Sequence, residues 1–188
     1  MMPADSLIGV IAQDVRADVE LRGSLPRRAA TVASRVAIAP RLQAVILYRL
    51  SAAASRRSQG LAAFVKYVNH VLTGADIAYQ SQIGPGLQLF HPVGVVIGAD
   101  VVLGARCSLQ QGVTLGAGPD GSPRAGDDVR FGPGAKLYDA IVIGDRARIG
   151  ANAVVQIDVP ADAFAAGVPA RVRSVAGRRE LGDTQAEA

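Results

Sequence analysis

The chain has 188 residues, enough for one domain with a real core or a small domain with a helical annex, but too few for two large independent domains. Hydrophobic residues at 49% and charged residues at 19% exclude general disorder, while aromatics at 4% and the lack of Trp exclude a core built on aromatic packing. The net charge of +4 comes from scattered arginines without the basic block expected of a nucleic-acid binder; a single cysteine excludes an intrachain disulfide, and nothing in the chain resembles a zinc-ligand cluster.

The N-terminal stretch carries Asp5 and Asp14, no basic region ahead of its apolar residues, and no run long enough to cross a bilayer. Neither a signal peptide nor a membrane span is expected, and the expected location is the cytoplasm. Residues 5–22 read as a helix ending near Gly23, with Pro26 shortly beyond it. Pro40 suits the first turn of a second helix, in which Leu42, Val45, Ile46 and Leu50 recur at helical spacing. After a break at Ser58, Gln59 and Gly60, the same period returns in Leu61, Phe64, Val65, Val68, Val71 and Leu72, so an antiparallel helix pair is expected.

From Asp76 onward the grammar changes. Aliphatic residues recur every six positions, at Ile77 and Ile83, at Ile97, Leu103, Leu109 and Leu115, and in register again from Phe131 through Leu137, Ile143 and Ile149 to Val155. Neither a helix nor a hairpin has that period. Six-residue units, each a short strand and a corner, are the signature of a parallel β-helix, with three units per coil. One aliphatic per face pointing into a narrow prism explains the scarcity of aromatics. The expected organisation is an α-helical region over 1–75, a β-helix over 76–172 and a polar tail over 173–188. Two gaps break the register. Between Leu89 and Ile97 two extra residues fall near His91, Pro92 and Gly94, and between Leu115 and Phe131 about ten residues are predicted to leave the coil as a Gly- and Pro-rich loop.

The hexads, the preceding helical annex and several local strings resemble the serine acetyltransferase family. The strings are TGADI (73–77), IGPGLQLFHPVGVVIG (83–98), QGVTLG (111–116), GPGAKL (132–137), RIGANAVV (148–155) and AAGVPARV (165–172), with DVRAD (14–18) as a looser match in the annex. The resemblance implies a left-handed β-helix, a homotrimer or dimer of trimers, and acetyl-CoA as cosubstrate, held in a groove between neighbouring β-helices without a metal.

Moving an acetyl group from a thioester to a hydroxyl requires a base for the hydroxyl proton, and histidine is the usual one. The two histidines are His70 and His91. His91 falls at the family's catalytic histidine and Asp76 at its partner carboxylate, fifteen residues earlier, whereas His70 reads as structural. The resemblance further places Ala117, Pro133, Arg148, Ala151 and Arg171 against CoA. Cys107 reads as a small core residue, since direct transfer needs no acyl-enzyme.

Departures from the family pattern fall where the amino acid would be held. Phe90 stands in place of an Asp before the histidine, Gly121 and Ser122 in place of an Arg-His pair in the long loop, and Arg22 or its neighbour in place of a helical acid. Loss of the acids removes the partners of an ammonium group. The reading is therefore an O-acetyltransferase acting on a hydroxyl of a small acceptor, with altered serine-binding residues. The alternatives are an acetyltransferase for a sugar, polysaccharide or natural-product hydroxyl, and a noncatalytic CoA-binding or scaffold β-helix. The C-terminal Ile that docks some family members into cysteine synthase is missing, so that complex is not expected.

Overall fold

The computed structural model describes residues 6–19 and 25–175. The positions of Asp5 and Arg22, and most of the predicted polar tail, lie outside the described residues.

Four helices come first: α1 (Leu7–Asp18), α2 (Leu25–Ile38), α3 (Pro40–Ala54) and α4 (Gln59–Thr73). The first helical reading was right in kind and too long, since α1 is closed by a Ser6 cap at one end and by Val19 at the other. The helix α2 was missed because Pro26 was read as a terminator. It instead occupies the first turn, where a missing N–H costs nothing. Pro40 opens α3 as predicted. The break between the paired helices falls earlier than the sequence suggested, at residues 55–58: Ser58 caps α4 by accepting a hydrogen bond from the Leu61 N–H, so Gln59 and Gly60 are already helical. Two side-chain bonds fix α3 and α4 antiparallel. Ser51 donates to the Ala62 carbonyl at 2.7 Å, and Asn69 Nδ2 donates to the Ala44 carbonyl at 2.9 Å. No single helix among the described residues is long and apolar enough to cross a membrane.

Gly74, left-handed at φ 74°, ends α4 by donating to the His70 carbonyl and turns the chain into the β-helix. The first coil is β1 (Asp76–Ile77), β2 (Gln82–Ile83) and β3 (Gln88–Leu89), and the second is β4 (Val96–Ile97), β5 (Val102–Leu103) and β6 (Ser108–Leu109). The third is β7 (Thr114–Gly116), β8 (Arg124–Ala125) and β9 (Arg130–Phe131), followed by β10 (Lys136–Tyr138), β11 (Val142–Ile143) and β12 (Arg148–Ile149). A last partial coil holds β13 (Val154–Val155) and β14 (Ala163–Gly167), and β15 (Ala170–Val175) folds back antiparallel on β14.

Strands of like position pair in parallel into three sheets, β1-β4-β7-β10-β13, β2-β5-β8-β11, and β3-β6-β9-β12-β14, the last extended by β15. Each coil passes backbone bonds to the next, as when the N–H groups of Asp76 and Ala78 donate to Val95 and Ile97. The inward column of the first sheet is Ile77, Ile97, Leu115, Leu137 and Val155, each at most 1% exposed. Cys107 is buried in the same core, and burial pushes its thiol up to about 11, which removes it as a thiolate nucleophile at neutral pH.

One sequence expectation is corrected here. The gap between Leu115 and Phe131 contains a strand, because Arg124–Ala125 pairs with Val102–Leu103 on one side and Val142–Ile143 on the other. Only residues 117–123 leave the coil. Ala125 is the buried anchor of its face, but a methyl group in a column of Ile and Leu carries no hydrophobic signal. The bulky Phe131 shares its coil, and pairing a large with a small side chain fills a narrow prism.

Candidate active site

The three corners of each coil lie on three edges of the prism. On the edge between the third sheet and the first, the turn residue is Gly74, Gly94, Gly112, Gly134 and then Asn152, all left-handed with φ between 52° and 74°. The first of these corners within the β-helix is the one with two extra residues. Its backbone is tied from both sides: the Gly94 N–H donates to the Gly74 carbonyl and the Gly112 N–H to the Val93 carbonyl, each at 3.0 Å. Pro92 is buried beneath it, and the side chains of Phe90, His91 and Val93 project outward. A rigid, anchored turn therefore presents the imidazole.

His91 borders a cavity of about 410 Å³ between this turn and the junction of α2 and α3. Arg35, Ala39, Pro40, Arg41, Phe90, Pro92 and Val93 complete the wall. Among the described residues no acidic side chain lines it. Arg41 is committed to Asp18, with Nε 2.8 Å from Oδ1, while no ion pair engages Arg35 among the described residues. Nor, among the described residues, does any hydrogen bond or ion pair engage the imidazole of His91, so neither ring nitrogen is committed to one of them.

Asp76 and His91 are not brought into hydrogen-bond contact within the chain. Asp76 opens β1, opposite Val96, and its Oδ1 lies 2.6 Å from the Lys66 ammonium of α4. Pro133 and Ala151 stack on the same edge as His91, one coil apart, where the Asn152 N–H donates to the Pro133 carbonyl at 2.8 Å. Arg171 pairs opposite Ala166 in the β14–β15 hairpin, at the far end of that edge. Arg148 projects from the third sheet, its guanidinium 5.8 Å from the centre of the Phe164 ring. Ala117 stands apart, on the edge between the first and second sheets. Gly121 and Ser122 share that edge, in a tight loop closed by the Gly118 N–H donating to the Gly121 carbonyl at 2.7 Å. His70 is exposed on α4. Among the described residues no group of three His, Cys, Asp or Glu side chains is placed to hold a metal ion. The cavity wall supplied by Arg35 and Arg41 was not foreseen, since only the tertiary packing of α2 and α3 brings it to the turn.

Two family profiles match within the β-helix, one described as bacterial transferase hexapeptide (six repeats) over residues 126–156, and one as hexapeptide repeat of succinyl-transferase over residues 94–118. A serine acetyltransferase of Synechococcus elongatus is 36% identical over 138 residues, which span 71% of this chain and 57% of that protein. A serine acetyltransferase of Helicobacter pylori (strain J99) is 38% identical over 137 residues, covering 70% of this chain and 80% of that one. The chain belongs to the serine acetyltransferase family. A solved serine acetyltransferase in complex with CoA superposes with a TM-score of 0.77 at 33% identity, over 89% of this chain and 70% of that chain. The left-handed β-helix of the serine acetyltransferases is thus the fold of this protein, and its helical annex is shared with them.

Proposed function

We propose that the protein is an acetyl-CoA-dependent O-acetyltransferase whose general base is His91. The observation that carries this reading is the placement of an unpartnered imidazole on an anchored turn, beside a cavity, in a serine acetyltransferase fold. Its nitrogen accepts the proton of the acceptor hydroxyl as that oxygen attacks the thioester carbonyl. When the carbon–sulfur bond breaks, the imidazolium returns the proton to the leaving thiolate, so the products are an acetyl ester and a free thiol. Asp76 acts as a positioning and charge-stabilising group for the imidazolium. Released from Lys66, its carboxylate approaches the corner that carries His91.

The edge of small turn residues running from His91 past Pro133 and Ala151 to Arg171 offers a path for a slender pantetheine arm, with Arg171 near its phosphates. Ala117, Gly121 and Ser122 lie on a different edge, so they reach a site at His91 only from a neighbouring copy. That geometry supports a homotrimer, alone or paired, with sites between β-helices. The acceptor we infer is not free L-serine. Phe90 puts an apolar ring on the cavity wall, the other residues around His91 are apolar or cationic, and no carboxylate among them pairs with an ammonium group.

The test is thiol release from acetyl-CoA by the wild type and His91→Ala, with L-serine, homoserine, simple sugars and amino sugars as acceptors. Turnover with a sugar that falls at least 100-fold in His91→Ala is expected, the range that loss of a general base produces. Turnover undiminished in His91→Ala would remove the histidine from the mechanism, and efficient turnover of L-serine would show that the pocket is rebuilt around the same acceptor.

A further inference from the structure

A second, larger concavity of about 740 Å³ runs along the outer face of the third sheet. It begins at Ala17 of α1, where Gln88 Nε2 donates to the Ala17 carbonyl, and ends at Phe164 in β14. Phe90 lines both this groove and the cavity of His91. The two spaces are therefore neighbours along one wall.

The groove is cationic in a specific way. Arg130 and Arg148 are cross-strand partners in β9 and β12, both exposed, and among the described residues neither makes an ion pair or hydrogen bond to a carboxylate. The one acidic side chain in the groove, Asp128, lies near Arg130 but is already held by Arg106, whose Nε and Nη2 donate to its two oxygens at 2.8 and 2.6 Å. Two like charges on adjacent strands repel, and the one nearby carboxylate, Asp128, is shared with Arg106, so it offsets them only in part. Polar side chains that suit hydroxyl groups, Gln88, Ser108 and Gln110, line the stretch between Phe90 and the arginines.

From Phe90, just after β3, the groove crosses two strand spacings to Arg130 and three to Arg148, roughly 10 to 15 Å at the usual interval. A single amino acid, about 3.5 Å long per extended residue, cannot bridge that distance.

We propose that this groove holds the acceptor, and that the acceptor is an extended, hydroxyl-bearing anion of the acidic-oligosaccharide class. Its reacting hydroxyl lies at His91 and its acidic group at Arg130 and Arg148. This deepens the acetyltransferase reading and rests on it for the reacting end alone, because the groove binds the acidic chain whether or not transfer follows.

The experiment uses the full chain with a galacturonate trisaccharide and a neutral galactose trisaccharide as probes. Direct binding is measured by calorimetry and, in parallel, thiol release from acetyl-CoA is followed with each. The acidic probe is expected to bind at least tenfold more tightly than the neutral one, and to lose about tenfold in Arg130→Gln, the usual scale for one charge-assisted contact. Arg130→Lys recovers part of that loss, and added salt weakens the acidic probe alone. In turnover the Arg130→Gln loss is expected in KM for the acidic acceptor. Equal binding of the two probes would overturn the proposal, as would an Arg130→Gln effect confined to KM for acetyl-CoA, which would assign the arginines to the cosubstrate's phosphates. Charge-dependent binding without thiol release would uphold the groove and sink the acetyltransferase reading instead.

Discussion

Asp14 is 1% exposed, yet it is a carboxylate on an N-terminal helix. Four donors satisfy it. The N–H groups of Gly86 and Leu87 reach Oδ1 at 2.7 and 2.9 Å, and the Arg49 guanidinium spans both oxygens at 2.9 and 3.2 Å. Arg49 in turn donates to the carbonyls of Ile83 and Gly84, and its neighbour Tyr48 donates to the Ser81 carbonyl. One ion pair therefore ties α1 and α3 to the first coil. Asp14→Ala is expected to destabilise the protein by about 3 to 5 kcal/mol, because it strands a buried guanidinium and two backbone donors. Urea unfolding of the two proteins measures this, and a loss below about 1 kcal/mol would mean that Arg49 finds water instead. In the sequence Asp14 was visible only as an N-terminal acid and as part of a short DVRAD string. Its partners lie 35 and more positions away, and no local period reports such a contact.

Among the elements, the strands were legible because each hexad must put an aliphatic residue inward, and a repeated six-residue spacing leaves little else to build. What stayed hidden was whatever lacked that spacing, namely the strand at Ala125, whose anchor is a methyl group, and α2, whose first-turn Pro26 also reads as a stop. The candidate site was legible only in part. The two-residue expansion exposed His91, but the cavity wall from α2 and α3 and the separation of Asp76 from His91 depend on packing. The glycines divide on physical grounds too. Gly112 is left-handed at φ 68°, and a Cβ there would meet only Gly134 atoms at 3.6 Å or more. Gly104 has no such backbone demand, yet a Cβ would lie 2.5 Å from the Gly126 backbone in the next coil. Gly112→Ala should cost about 1 to 2 kcal/mol through its backbone conformation. Gly104→Ala should cost about 3 kcal/mol or more, because two coils must separate. Thermal unfolding of both variants should rank them in that order, and a reversed order would show that the coil gap yields more readily than the left-handed turn.

Over the whole molecule, the edge between the second and third sheets carries a charge ladder from the annex to the last coil. Its left-handed positions are Gly86, Arg106, Asp128, Arg146 and Asp162, so each L residue there accepts an unfavourable φ near 60°. Gly86 meets Asp14, and the rest form forked pairs, Arg106 with Asp128 and Arg146 with Asp162, the latter at 2.6 Å through both nitrogens. These guanidiniums hold the carboxyls of Asp128 and Asp162 below the usual carboxylate range. A carboxyl whose folded pKa is depressed adds stability that is fully present above its unfolded value, near 3.8, and disappears as pH falls through the folded value. Replacing Arg106 and Arg146 together by Gln removes the largest causes of the depression, leaving only the field of Arg130 on Asp128, and with them most of that contribution. The urea midpoint of the wild type should therefore exceed that of the double variant by a constant margin from neutral pH down to about pH 5. Below that the margin should narrow, the two proteins converging at the most acidic pH. High salt should shrink the margin at neutral pH, since both pairs are at the surface. A margin that persists unchanged to pH 2.5 would show that the arginines stabilise the corners by packing along the ladder and not by charge.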